Sequence, residues 1–196
     1  MILHIKHMMS IRSKMVVREL LDQLGLQYGN IEFGEVELKE SITEEQRTKL
    51  SYALLNEELE LLEDNKCILV EKIKNIIVEM IHYKYELSIK KYSTYLSEKL
   101  NHSYQYLANI FSEVTGSSIE QYIIAHKIEK AKTLLAHCGL TLTEIAWKLN
   151  YSSVAHLSNQ FKKVTGIKPS LYKKLEEKKL VPLEYVGMKR FHTSLN

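Results

Sequence analysis

Among 196 residues there are only two cysteines, Cys67 and Cys138, far apart in sequence. They make neither a disulfide framework nor a C-x-x-C metal site, and they fit a reducing cytoplasm. Seven glycines and two prolines are too few for long disordered linkers or for a chain of short strands and tight turns. No apolar run approaches the ~18 residues of a bilayer span. The opening "MILHIKHMMS" lacks the apolar core and small-residue cleavage site of a secretory signal, so a cytoplasmic protein is expected. Also missing are a Gly-rich phosphate loop, a nucleophile motif and a paired acid in a recognisable context. No catalytic site and no cofactor is expected, and the chain does not read as an enzyme.

What is present is ordinary in bulk and uneven in detail. Apolar residues make up 45% and charged residues 26%, with a net charge of +3. Residues 1–89 hold 11 Lys/Arg against 16 Asp/Glu, a net of −5, whereas residues 90–174 hold 12 Lys against 5 Glu, a net of +7. An acidic half joined to a basic half suggests two domains, the second facing a polyanion.

The basic half repeats itself. "LANIFSEVTG" from Leu107 and "LSNQFKKVTG" from Leu157 share Leu, Asn, Phe, Val, Thr and Gly at equivalent positions. The match extends upstream through Leu96/Ile145, Leu100/Leu149, Asn101/Asn150 and Ser103/Ser152, and downstream through Tyr122/Tyr172. Apolar spacings of three and four predict helices throughout. In the first copy, Tyr95, Leu96 and Leu100 line a short helix, and Asn101-His102-Ser103 is a turn. Leu107, Ile110, Phe111 and Val114 form the buried stripe of a second helix, which Gly116 ends. Ser118 and Gln121 have capping-box spacing and open a long helix that Gly139 stops. Thr141 and Glu144 are a second capping box, and Ile145, Ala146 and Leu149 line the helix it opens. Leu157, Phe161 and Val164 line the next one, and Pro169 suits the first turn of a last helix. Each copy is thus helix, tight turn, helix, the arrangement whose second helix enters the DNA major groove.

Residues 90–174, and above all "LTEIAWKLNYSSVAHLSNQFKKVTGIKPSLYKK", resemble the DNA-binding domain of AraC/XylS-type transcription regulators. The resemblance implies two helix-turn-helix units bridged by a long helix, reading double-stranded DNA, with RNA polymerase as an expected partner. With Leu107, Ile110 and Phe111 inward, the outward positions are Tyr104, Gln105, Ala108 and Asn109. Their counterparts are Val154, Ala155, Ser158 and Asn159. These eight are the expected base contacts: Asn and Gln can pair with adenine, and small apolar groups can meet a thymine methyl. Ser103, Ser153, Lys162, Lys163 and Lys168 are the expected phosphate contacts. The copies differ after the Phe, where Ser112-Glu113 in the first stands against Lys162-Lys163 in the second. Phosphate neutralisation supplies most salt-dependent affinity, so the second unit is expected to dominate electrostatic binding.

The first half reads as a small α+β unit. Ile2, Leu3 and Ile5 suggest a strand, and a helix follows with Met15, Val16, Leu20, Leu21 and Leu24 as its apolar positions. A second extended stretch runs around Gly34, Thr43 and Gln46 cap another helix, and a third strand is expected at Leu59–Glu63. The order is similar to a ferredoxin-like heavy-metal-associated domain, in which a Met-Cys-x-x-Cys loop follows the first strand. Here that loop is Met9-Ser10-Ile11-Arg12-Ser13, with serines for both cysteines. Serine is a poor ligand for soft metals, so no metal is expected, although His4, His7, Met8 and Met9 could in principle gather around a soft ion.

The expected fold is a small α+β, ferredoxin-like N-terminal domain over 1–65 and an all-α domain of two helix-turn-helix units joined by a long helix over 90–174. An amphipathic helix over 66–89 connects them, with Ile73, Ile76, Ile77, Met80 and Ile81 as its stripe. Residues 175–196 read as a flexible tail. The expected function is sequence-specific DNA binding in transcription regulation, with a possible homodimer through 1–89. The alternatives are a nonspecific architectural DNA binder and a metal-handling protein acting through the N-terminal domain.

Overall fold

The computed structural model describes residues 1–83, 91–137, 139–175 and 177–187. It divides into two compact units, Met1–Ile76 and a second that begins at Ile77.

The first unit contains β1 (Ile2–Lys6), α1 (Ile11–Gln23), β2 (Tyr28–Glu32), β3 (Glu35–Leu38), α2 (Glu44–Asn56) and β4 (Glu60–Leu62). The strands form one sheet in the order β2-β3-β1-β4, and each neighbouring pair is antiparallel. Alternation along β1 and β3 turns Leu3, Ile5, Val36 and Leu38 inward, where they join Val17 and Leu21 of α1 and Leu50 and Leu54 of α2 in one core. The extended stretch expected around Gly34 is a hairpin of two strands rather than one strand. Phe33 and Gly34 form its turn, and Gly34 has φ +78°. A Cβ on Gly34 would come within 2.1 Å of Asn75 Nδ2. Along α1, Leu21 of the expected apolar face is buried and Val16, Leu20 and Leu24 pack against the core, but Met15 is exposed and Val17 is buried in its stead.

The loop after β1 has a structural use. Ser10 caps α1, accepting from Ser13 N at 3.1 Å while Ser13 Oγ accepts from Ser10 N at 3.0 Å. Met8 and Met9 are buried. His4 lies 3.5 Å from Glu35, and burial pushes its pKa down. Among the described residues no group of three or more His, Cys, Asp or Glu is placed to hold a metal ion.

The connecting helix starts at Asn65 as α3 (Asn65–Val78) and continues as a π-helical turn, Glu79–Tyr83. Its early turns are tied to the first unit: Glu71 accepts from His7 N at 3.4 Å, and Lys72 pairs with Glu35 at 2.9 Å. Residues 84–89 of the expected helix lie outside the described residues.

The second unit continues with α4 (Tyr92–Leu100), α5 (Tyr104–Thr115), α6 (Ile119–His137), α7 (Leu142–Lys148), α8 (Val154–Thr165) and α9 (Pro169–Lys174), then a 3-10 turn at Leu183–Tyr185. The capping boxes expected at Ser118/Gln121 and Thr141/Glu144 both form. Where the sequence suggests a loose tail from 175, the described residues 177–187 are held. Val181 N donates to Glu129 Oε1 at 2.7 Å, Tyr172 Oη donates to Lys179 O at 3.3 Å, and Val186 is buried. The fastening joins the tail's backbone to side chains of α6 and α9, so it leaves no periodic pattern to read. Among the described residues no helix is long and apolar enough to cross a membrane.

Candidate nucleic-acid interface

Most identities of the repeat have a local structural cause. Asn101 and Asn150 adopt left-handed conformations, φ 54° and 53°, as residues that end a helix often do and Asn tolerates. Thr115 and Thr165 each donate from Oγ1 to the carbonyl of the preceding Phe, Phe111 O and Phe161 O, at 2.8 Å. Gly116 and Gly166 then cap the helices with φ 68° and 81°, where a side chain would be strained. Phe111 packs edge-on against Tyr122 at 5.6 Å, and Phe161 against Tyr172 at 5.5 Å. In both turns a ring meets a ring at the start of the next helix: His102 with Tyr106 at 4.9 Å, Tyr151 with His156 at 5.2 Å.

Ser103 caps α5 by accepting from Tyr106 N at 3.3 Å, and Ser153 caps α8 by accepting from His156 N at 3.1 Å. Burial then follows the same order in both helices. Tyr104 and Val154 are half-buried, Gln105 and Ala155 exposed, Leu107 and Leu157 buried, Ala108 and Ser158 half-buried, and Asn109 and Asn159 exposed. The eight expected base-contact positions thus form two equivalent outward faces. Gln105 Nε2 donates to Asn109 Oδ1 at 2.9 Å, which orients both amides. Lys162 and Lys163 are exposed on the last turn of α8, and Lys168 is exposed at the N-cap position of α9.

The structure also changes some details. Tyr104 Oη donates to Glu120 at the start of α6. The hydroxyl is thus engaged within the domain, and burial together with that bond pushes the phenol pKa up. Val114 is 41% exposed rather than buried. Its counterpart Val164 packs with Ile167 against the second-copy core, whereas the position equivalent to Ile167 is Ser117 in the first copy. Exposed Tyr106 borders the first outward face. Its counterpart in the second copy is His156, which is exposed beside the second face. The single tryptophan, Trp147, is 82% exposed on α7, and no sequence signal singled it out.

Residues 96–175 match the family model described as a helix-turn-helix domain. The chain is 28% identical over 103 residues to the uncharacterized HTH-type transcriptional regulator YtdP of Bacillus subtilis, covering 53% of this chain and 13% of the relative. It is 31% identical over 100 residues to the Msm operon regulatory protein of Streptococcus mutans, covering 51% and 35%. The chain therefore spans about a third or less of these curated relatives. Among solved structures, the C-terminal domain of the two-component response regulator yesN from Fusobacterium nucleatum is 32% identical, covering 53% of this chain and 96% of that one, with a TM-score of 0.44. The matched family is described as a helix-turn-helix domain, and both relatives are named as regulators. Residues 96–175 of this chain accordingly match a helix-turn-helix domain.

Proposed function

We propose that the chain is a site-specific transcription regulator whose α5 and α8 are both recognition helices, reading adjacent major-groove segments of one double-stranded DNA site. The observation that carries this reading is the matched exposure of the two helices. Core packing accounts for the repeated Leu, Phe, Thr and Gly, but not for Asn109 and Asn159, which recur on the outward faces. The bridging α6 has 19 residues, about 28 Å of helix, against about 34 Å between successive major grooves on one DNA face.

In this reading Gln105, Ala108, Asn109, Val154, Ala155, Ser158 and Asn159 meet base edges. Tyr104 contributes its ring edge, because Glu120 holds its hydroxyl. Lys162, Lys163 and Lys168 neutralise phosphates. Ser103 and Ser153 accept from the helix backbone while each hydroxyl keeps its own proton to donate to a phosphate. The N-terminal unit is ferredoxin-like, a reading supported by its β-α-β-β-α-β order. Its Ser10 and Ser13 cap a helix where a heavy-metal-associated loop would carry cysteines. It serves as a sensor, a partner-binding module or a homodimer contact through 1–89. RNA polymerase is the further partner and the cytoplasm the site of action.

Selection of bound sequences from random DNA by the full chain tests the reading. The expected result is a discrete enriched motif whose complex outlasts unrelated competitor DNA at moderate salt. Retained binding without enrichment would replace it with nonspecific architectural binding.

A further inference from the structure

Lys127 lies near the middle of α6, with Nζ 5.4 Å from the ring centre of Tyr92 and 5.1 Å from that of Tyr151. Tyr92 is the first residue of α4, in the first helix-turn-helix unit. Tyr151 stands in the turn between α7 and α8, in the second. Its ring meets His156 nearly perpendicularly, at 89°, and His156 lies in the first turn of α8 beside the outward face. One ammonium thus touches a ring from each unit, and the second ring continues to the start of a recognition helix.

The three side chains are half-buried. The hydroxyls of Tyr92 and Tyr151 are buried and have no hydrogen-bond partner among the described residues, and burial pushes both phenols up to about 12. Burial also pushes the Lys127 pKa down. A methionine or leucine would fill such a space without desolvating a charge. What the lysine adds is attraction to both ring faces at once, and cation–π attraction grows when the cation is desolvated. Otherwise α5 packs on α6 from one side of the repeat, and α7, α8 and α9 pack on it from the other.

We propose that Lys127 is a positioning residue for DNA recognition: clamped between Tyr92 and Tyr151, it fixes the orientation of one helix-turn-helix unit relative to the other. The consequence for function rests on α5 and α8 both being recognition helices. The clamp sets how far apart, and at what angle, two outward faces are presented. It therefore governs discrimination between DNA sites that differ in the spacing of their two halves, more than affinity for either half.

The test uses the full chain with Cys67 and Cys138 replaced by serine and spin labels at positions 105 and 155. Without DNA, the native residue and Lys127→Arg, which keeps a cation over the rings, should give one narrow label-to-label distance. Lys127→Met should give a broadened or shifted one. The second readout, on unlabelled chains, is affinity for the selected duplex against duplexes with one base pair inserted between the two half-elements. Lys127→Met should lose about tenfold of the spacing preference, as expected for two cation–π contacts at a partly desolvated site, with a smaller loss on the matched site. Lys127→Arg should retain the preference. An unchanged distance distribution or an unchanged spacing preference in Lys127→Met overturns the proposal. If that variant fails to fold, Tyr92→Leu opens the same clamp from the other side and is read the same way. If the native chain discriminates no DNA site at all, the functional reading falls, while the distance measurement still decides what Lys127 does.

Discussion

Replacing Lys162 and Lys163 together by alanine is the most quantitative test of how the two repeat copies divide the work. Both lysines are exposed on the last turn of α8 and pack into no core, so the fold should be unaffected. The same turn of α5 carries Ser112 and Glu113. Each phosphate neutralised on duplex DNA contributes about 0.9 to the slope of log affinity against log salt. Loss of two contacts should therefore flatten the slope by about 1.8, which is about 60-fold in affinity at 0.1 M salt and almost nothing near 1 M. The converse change, Ser112→Lys with Glu113→Lys, should steepen the slope by about the same amount if the first unit sits on DNA as the second does. Gln105→Ala with Asn109→Ala should weaken binding to the selected site and leave the slope alone, because amides reading bases release no counterions. The assay is fluorescence anisotropy on the selected duplex across a salt series, with circular dichroism confirming the fold. A lysine-pair variant with the native slope would refute the assignment of phosphate contacts to the end of α8.

Three further results are expected. Phe111→Ala and Phe161→Ala should each cost about 3–5 kcal/mol in urea unfolding, while Asn109→Ala and Asn159→Ala should stay within about 0.5 kcal/mol and lose DNA binding instead. Glu129→Leu should cost about 3 kcal/mol or more, since it leaves the buried Lys132 ammonium without its 2.8 Å partner and releases Val181 N; limited proteolysis should then cut first within 177–187. Acidification should destabilise the second unit: burial, with a smaller push from Lys130, holds His82 at about 3 against an ordinary 6.5. The unfolded chain then binds the proton first, so stability is full above pH 6.5 and falls below it, by about 2 kcal/mol at pH 5. His82→Phe should flatten that part of the pH profile of unfolding.

The helix-turn-helix pair was legible in the sequence because its demands are local and are made twice. A left-handed residue must follow each first helix, hence Asn101 and Asn150. A glycine must end each second helix, and a large ring must fill each seat. The capping boxes were legible for the same reason, as their donors and acceptors lie three residues apart. What escaped notice depends on contacts distant in sequence. Whether the stretch around Gly34 is one strand or a hairpin is decided by pairing with β1 and by the approach of Asn75, more than forty positions along the chain. The tail of the second unit is held by Glu129, which in sequence reads as one more helical charge. Tyr104 has the spacing of a base-reading residue, but Glu120 takes its hydroxyl. The clamp at Lys127 joins three residues with no common periodicity. Among the candidate site residues, spacing placed the outward positions, and only the fold determined which of their polar groups are engaged inside the domain.

The central claim is that one chain lays two recognition helices into successive major grooves of one site. Hydroxyl-radical footprinting of the full chain on its selected duplex tests this most directly. Two protected patches are expected on one face of the DNA helix, about 10 base pairs apart, with the patch nearer α5 lost in Gln105→Ala/Asn109→Ala and the other lost in Ala155→Glu/Asn159→Ala. A single protected patch that only the α8 substitutions remove would contradict it.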